Sequence, residues 1–346
     1  MENNKKELLL DVTILRPVAI LLLVVYHAFI VYRGGWSEPV GYLEVRSYKW
    51  IADVSYSFML EIFVMLSGYV FGYQLYKQKR IFTLPFLIKN KFKRLILPSV
   101  IFSTLYFIIF KEYTSLTSLL YNLINGVGHM WFLPMLFWCF LGGYLMLKLK
   151  LRDTYKLPLA IVLVVFSILP LPFRLESAFY YFFFFYLGMM MMRKKEILIG
   201  RYCKNKNIIL LGFIFVVVFI AYEQFFSYIR AYSENGIICK ILINAIAKYW
   251  VLTYAVLGCL TAYLLTNICL EKIKTISPTL IWFNQICFGV YLFQQFILQI
   301  LYYKTSLPSV VGPYYLPWIG LLITLVLSIL LSQIMRFTKV GRFLIG

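Results

Sequence analysis

The feature that most constrains this chain is a series of ten apolar segments separated by short gaps that hold most of the charged residues. Hydrophobic residues make up 62% of the 346 residues and charged residues only 14%, against about a quarter in a soluble protein. Because a helix needs about 20 apolar residues to cross a bilayer, the pattern predicts an all-α helix bundle with about ten transmembrane helices. We place the spans near 13–32, 50–73, 95–110, 129–147, 157–169, 177–192, 208–226, 249–270, 279–301 and 314–335.

The basic residues predict the orientation of the bundle. With the N-terminus inside, 24 of the 34 Lys and Arg residues fall in inner segments, nine fall in outer segments, and Arg16 lies within the first span. Cytoplasmic loops of membrane proteins carry the excess of basic residues. We therefore expect both termini in the cytoplasm and a multi-pass protein of the inner or plasma membrane. The net charge of +20 is then explained by topology, and no nucleic-acid partner is predicted.

No polar stretch is long enough for a separate soluble domain, so residues 1–346 are predicted to form a single transmembrane domain. The six cysteines show no spacing typical of a metal site, and we expect neither a metal nor a permanently bound cofactor. The aromatic run at 180–186 lies at the outer end of the sixth span. Aromatic rings favour the membrane interface, and we expect these rings to lie there.

The first span contains two ionisable residues, Arg16 and His27, that are eleven positions apart. Eleven residues complete about three helical turns, so both side chains leave the same helix face, about 16 Å apart along the axis. Ionisable groups within a membrane usually face the interior of the bundle. The pair predicts a shared interior, with Arg16 toward the cytoplasm and His27 toward the outside. The structural alternative is a snorkelling arginine and a hydrogen-bonded histidine.

Two further ionisable residues are candidates for chemistry. Glu61 lies near the middle of the second span, where it could form a buried ion pair with Arg16, orient a histidine or act as an acid. His129, the second of the chain's two histidines, opens the fourth span beside Trp131. Histidine can take and return a proton near neutral pH, so two histidines at one depth could form a catalytic site. A cap at the membrane interface is the alternative interpretation of His129.

Polar residues at two other places suggest ligand binding. Lys91 and Arg94, three positions apart in the first inner loop, would share a helix face and could clamp phosphate. The alternative is that these cations serve only topology. The ninth span carries a polar stripe that could bind sugar hydroxyls, a pantetheine arm or neighbouring helices; it consists of Asn284, Tyr291, Gln295 and Gln299.

Five sequence elements, in order, resemble the membrane-bound acyltransferase family 3. The first is Arg16-Pro17 followed by Tyr26-His27-Ala28, and the second runs from Glu61 to Ser67-Gly68-Tyr69. The others are Lys93-Arg94-Leu95-Ile96-Leu97-Pro98, Gly128 to Leu133, and Gly289 to Phe293 with the closing Gly341-Arg342-Phe343-Leu344-Ile345-Gly346.

The resemblance implies transfer of an acyl group, usually acetyl from cytoplasmic acetyl-CoA, to an extracytoplasmic glycan or lipid-linked saccharide. It implies a catalytic role for His27 and donor binding by Arg16, Lys91 and Arg94. From its depth in the second span, we name Glu61 as a second catalytic candidate. We assign acceptor binding to His129, Trp131 and Gln295. Three positions depart from the family's pattern: proline follows Arg16, Thr13 stands where an acidic residue is frequent, and Gln294 stands where a histidine often occurs.

Two other functional classes remain open at this point. A transporter or flippase for a glycan or lipid-linked sugar would need a similar polar interior. Transporters usually show internal repeats and broken helices at mid-membrane, and the sequence shows neither clearly. A structural scaffold is disfavoured because it would not need Arg16 and His27 on one face. The sequence also leaves open whether the acyl group is acetyl or succinyl and whether the product is an ester or an amide.

Overall fold

The computed structural model describes residues 9–110, 115–231, 236–273 and 275–345, and within them the chain is all-helical, as predicted. The α-helices are α1 (Leu10–Phe29), α2 (Arg46–Tyr56), α3 (Met59–Tyr76), α4 (Leu84–Lys91), α5 (Leu97–Phe110), α6 (Leu116–Asn125), α7 (Phe132–Lys148), α8 (Asp153–Leu163), α9 (Leu175–Arg193), α10 (Lys195–Tyr202), α11 (Asn205–Ala231), α12 (Ile237–Lys272), α13 (Pro278–Tyr303), α14 (Leu307–Phe337) and α15 (Lys339–Ile345).

Nine helical segments of the described residues are long and apolar enough to cross a membrane, so the protein is a multi-pass membrane protein. They correspond to nine of the ten predicted spans. The remaining predicted span, 157–169, falls on α8, which has 11 residues, and on a following 3₁₀ turn of 5 residues. This segment is shorter than the roughly 20 residues that a perpendicular span needs. The orientation of the termini stays a prediction from the charges.

Helices α3 and α9 pack closely at the centre of the bundle because each presents a glycine to the other. A Cβ atom on Gly68 would lie 1.9 Å from the carbonyl oxygen of Phe185, and one on Gly188 would lie 1.9 Å from that of Met65. Small residues allow membrane helices to approach in this way. The glycine of Ser67-Gly68-Tyr69 therefore serves helix packing and does not bind a ligand.

The aromatic run at 180–186 is buried, which corrects the prediction that its rings lie at the membrane interface. Every one of these side chains is at most 7% exposed. They lie on α9, which packs against α3, α7 and α8. A helix with neighbours on several sides can be hydrophobic all round. The interface pattern fails here because periodicity does not distinguish a core helix from one that borders lipid.

Helix α1 lies among α2, α3, α12, α13 and α14, which brings its polar face into the interior of the bundle. The C-terminal helix α15 turns back onto the bundle and contacts α5, α13 and α14. Its residues Leu344 and Ile345 are buried. These placements put α1, α13 and α15 around the same internal space.

Candidate active site

Helix α1 presents Arg16 and His27 to two adjacent cavities. Arg16 lines a larger cavity of about 720 Å³, and His27 lines a smaller one of about 220 Å³. Both side chains face the interior of the bundle, but each borders a different cavity. Arg16 donates a hydrogen bond from Nη1 to Oδ1 of Asn284 on α13, at 3.2 Å.

The larger cavity is strongly basic. Five cationic residues line it: Arg16, Lys93, Arg94, Arg336 and Arg342. Among the residues that the structure describes, no aspartate or glutamate lines it. Within the same described residues, none of the five has a carboxylate within ion-pair distance. Unneutralised positive charge around one cavity favours a ligand with several negative charges.

The structure does not place the predicted pair Lys91 and Arg94 at one cavity. Lys91 ends α4, and its Nζ lies 3.4 Å from the centre of the Phe140 ring. It does not line the larger cavity, whereas Lys93 and Arg94 do. The cause is a π-helical segment, Phe92–Ile96, between α4 and α5. Its wider turn changes the directions in which successive side chains leave the helix, so the regular three-residue spacing no longer applies.

The smaller cavity brings together the residues predicted to bind the acceptor. His129, Trp131 and Gln295 line it with His27. The two imidazole rings lie 6.3 Å apart between centroids. The indole of Trp36, from the loop after α1, stacks on His27 at 5.9 Å. Sequence reasoning missed Trp36, because no pattern relates a loop tryptophan to a histidine nine residues earlier.

His129 is held in place by both its backbone and its ring. Its 3₁₀ segment begins at Gly128, which has a φ of +54°, and a Cβ atom there would lie 2.9 Å from the Tyr106 ring. The Tyr106 hydroxyl lies 3.2 Å from His129 Nδ1. The hydroxyl of Tyr291 donates to the His129 carbonyl oxygen at 2.6 Å. These contacts fix the imidazole at the wall of the cavity.

Two nitrogen atoms at this site have no hydrogen-bond partner among the described residues. They are Nδ1 of His27 and Nε2 of His129; both are buried and form no hydrogen bond of ordinary geometry, although the Leu23 backbone lies beside His27 and Gln295 beside His129. A buried polar atom without a partner is uncommon, and one that borders a cavity can bind a ligand hydroxyl. The side chain of Gln294 lies beside His27, but its amide forms no hydrogen bond of ordinary geometry within the described chain.

Glu61 lies outside both cavities. It accepts a hydrogen bond from the Tyr180 hydroxyl on α9 at 3.1 Å, and its other carboxyl oxygen has no partner among the described residues. It pairs with neither Arg16 nor a histidine, so its position does not support the predicted role in proton transfer. Its contact with Tyr180 instead joins α3 to α9.

The larger cavity also contains cations that sequence reasoning did not assign. Arg336 lies at the end of α14 and Arg342 on α15. Arg336 donates to Oε1 of Gln285 at 3.4 Å. The closing Gly341-Arg342-Phe343 element is the sequence signal for this part of the cavity. Its contact with α5, more than 200 residues earlier, cannot be predicted from local spacing.

The fold and the site define a multi-pass membrane protein with an internal site formed by a basic cavity and a histidine cavity. The chain matches the model of the acyltransferase 3 family, described as an acyltransferase domain, over residues 9–337. Because the match covers almost the whole chain, the protein belongs to this family and is a membrane acyltransferase. No curated protein and no solved structure gives a significant match to the chain.

Proposed function

We propose that this acyltransferase moves an acetyl group from cytoplasmic acetyl-CoA to a hydroxyl of a glycan or lipid-linked saccharide outside the membrane. The observation that carries the proposal is that the basic cavity and the histidine cavity share two lining residues, Phe132 and Tyr291. A donor in the first cavity and an acceptor in the second would bring thioester and hydroxyl together.

The larger cavity has the charge expected for the nucleotide end of CoA. Arginine binds phosphate through two parallel hydrogen bonds, and a cavity with several arginines suits a ligand with several phosphates. Two of the cations, Lys93 and Arg94, come from the segment between α4 and α5. Two others, Arg336 and Arg342, come from the C-terminal helices α14 and α15. The acyl arm of the donor would then extend past Arg16 toward His27, about 16 Å further along α1.

The histidine cavity supplies the base for the reaction. In the proposed step, a neutral His27 nitrogen takes the proton of the acceptor hydroxyl as its oxygen attacks the thioester carbonyl. The carbon–sulfur bond breaks, and the leaving thiolate of CoA receives the proton from the histidine. The overall reaction converts acyl-CoA and an alcohol into an ester and CoA, with no net release of a proton.

The lining of the smaller cavity suits a single sugar unit. It combines aromatic side chains with a few polar groups, which is the usual composition of a small-molecule site. His129 and Gln295 can hydrogen-bond sugar hydroxyls, and Trp131 offers a flat apolar surface. We assign these three residues to acceptor positioning and His27 to catalysis.

Binding of CoA distinguishes the proposed enzyme from a saccharide transporter, which would have no use for a nucleotide thioester. We expect the detergent-purified protein to bind CoA, and the affinity to fall as salt is added, because charged contacts are screened. Isothermal titration calorimetry measures both. A purified, folded protein that shows no binding of CoA or acetyl-CoA would contradict the proposal.

Comparing Arg94→Ala with Lys91→Ala tests the placement of the donor. We expect Arg94→Ala to raise the KM for acetyl-CoA by about 10-fold, since a hydrogen bond to a charged group contributes about 1.5–3 kcal/mol. Lys91→Ala should leave this KM near that of the wild type, because Lys91 faces Phe140. A phosphate contact that acts equally in the ground and transition states raises KM and leaves kcat nearly unchanged. A larger KM effect from Lys91 than from Arg94 would contradict this placement.

A further inference from the structure

Two aromatic rings border both the larger cavity, proposed to hold the donor, and the smaller cavity, proposed to hold the acceptor. Phe132 and Tyr291 are the residues that line both cavities, and their ring centroids lie 6.0 Å apart at an interplanar angle of 55°. Carbon atoms in contact lie about 3.5–4.0 Å apart, so a chain between two walls needs about 7–8 Å. The rings are too close for an acyl chain to pass between them, so passage at this point requires one of them to move.

The two rings are anchored differently. Tyr291 is fixed by the hydrogen bond from its hydroxyl to the His129 carbonyl, and its ring stacks on Phe288 at 5.8 Å. Phe132 has no polar group to anchor it and contacts the rings of Phe63 and Trp131, each at 6.3 Å. Rotation of Phe132 would therefore break only ring contacts, whereas movement of Tyr291 would break a buried hydrogen bond.

We propose that the Phe132–Tyr291 pair is a gate that limits the acyl group to a short chain. This inference rests on the proposed function, because it assumes that an acyl-CoA donor enters from the larger cavity. Every acyl-CoA donor must displace Phe132, because the pantetheine arm follows the acyl group past the rings. The acyl chain then lies beyond the rings in the cavity of about 220 Å³, where each added methylene takes space from the acceptor and meets the fixed ring of Tyr291. The passage thus selects acetyl over longer acyl groups at a point distinct from the phosphate contacts.

Acyl selectivity tests the gate. We expect Phe132→Ala to raise the ratio of kcat/KM for butyryl-CoA to that for acetyl-CoA by about 10-fold or more, since one methylene in a tight apolar site changes rates by about 10- to 200-fold. Phe132→Leu should give an intermediate ratio. The matched control is Phe343→Ala, which removes a ring of the same size from a residue that lines only the larger cavity and, among the described residues, has no ring contact with Phe132. It should leave the ratio near the wild-type value.

A second measurement tests the gate without acyl transfer. Cys287 lines the larger cavity and not the smaller one. In intact cells, a small membrane-impermeant thiol reagent that enters from the outer side must pass Phe132 to reach it. We expect Cys287 to be modified in Phe132→Ala and protected in the wild type and in Phe343→Ala, as measured by mass spectrometry of the peptide that contains it.

The two measurements separate failure of the gate from failure of the proposed function. If the wild type transfers acetyl while Phe132→Ala changes neither the selectivity ratio nor the modification of Cys287, the gate is overturned and the proposed function stands. If no form transfers an acyl group from CoA but Cys287 becomes reactive only in Phe132→Ala, the barrier stands and the proposed function fails. CoA binding by the purified Phe132→Ala protein verifies that it is folded.

Discussion

Replacement of His27 by alanine is expected to lower acyl transfer by about 100-fold or more, because a positioned general base contributes about 10²–10⁴ in rate. His27 is the histidine that shares a helix face with Arg16, and its Nδ1 has no partner among the described residues. Without the imidazole, the acceptor hydroxyl is a poor nucleophile at neutral pH. An acetyl-transfer assay in membranes, with expression levels matched, measures the loss.

His27→Gln is the matched control, because it keeps a polar side chain at this position and removes the base. We expect a loss similar to that of alanine, with CoA binding retained in both variants. His129→Ala should have a smaller effect, since we assign His129 to positioning of the acceptor. Nearly normal turnover by the His27 variants, or an equal or larger loss in His129→Ala, would show that the catalytic role belongs to the other histidine.

The second large effect is expected from the C-terminal arginines. The double variant Arg336→Ala with Arg342→Ala should raise the KM for acetyl-CoA by about 100-fold or more, because hydrogen bonds to charged groups contribute about 1.5–3 kcal/mol each and two such contacts are lost. The kcat should stay within about twofold of the wild-type value, since these contacts do not change during the chemical step. Both arginines line the larger cavity, and they belong to the C-terminal helices α14 and α15.

A double variant with the same loss of charge controls for general electrostatics. Lys272 and Lys339 lie at the end of α12 and the start of α15, and neither lines the larger or the smaller cavity. Lys272→Ala with Lys339→Ala should leave the donor KM near that of the wild type. If this control raises KM as much as the arginine variant does, the arginines act through net charge alone and form no site.

The parts of the site that sequence could predict are those that depend on regular helical geometry. The alignment of Arg16 with His27 follows from eleven residues of regular α-helix, and each of them lines one of the two adjacent cavities. The stripe on α13 is also regular, and it places Asn284 against Arg16 and Gln295 in the histidine cavity. On both α1 and α13 the polar residues recur with the period of a regular α-helix, so the sequence predicts which side chains share a face.

The predictions with least support depended on irregular backbone or on contacts between distant segments. The π-helical segment Phe92–Ile96 separates the directions of Lys91 and Arg94. Sequence cannot place such a segment, because the residues within it are compatible with an ordinary helix. Arg342 lines the larger cavity only because α15 packs back against the bundle. The predicted catalytic role of Glu61 depends on its depth in the second span, whereas its hydrogen-bond partner Tyr180 belongs to a helix more than a hundred positions away.

Gln294 shows how a departure from the family's pattern acquires a physical meaning. Its side chain is fully buried beside His27. An amide cannot carry a proton between donor and acceptor, but it can orient an imidazole by hydrogen bonding. Because no histidine stands at this position, we assign the proposed proton transfer to His27, the residue that is replaced in His27→Ala.

The most direct test of the central claim compares cell-surface glycans by mass spectrometry in cells with the protein, cells without it and cells with His27→Ala. We expect a glycan that carries one added acetyl group only when the active protein is present, and that loses this mass on deletion and in the His27 variant. Identical glycan and lipid-linked saccharide masses in all three, with the protein correctly inserted and binding CoA, would contradict the assignment of a saccharide acceptor.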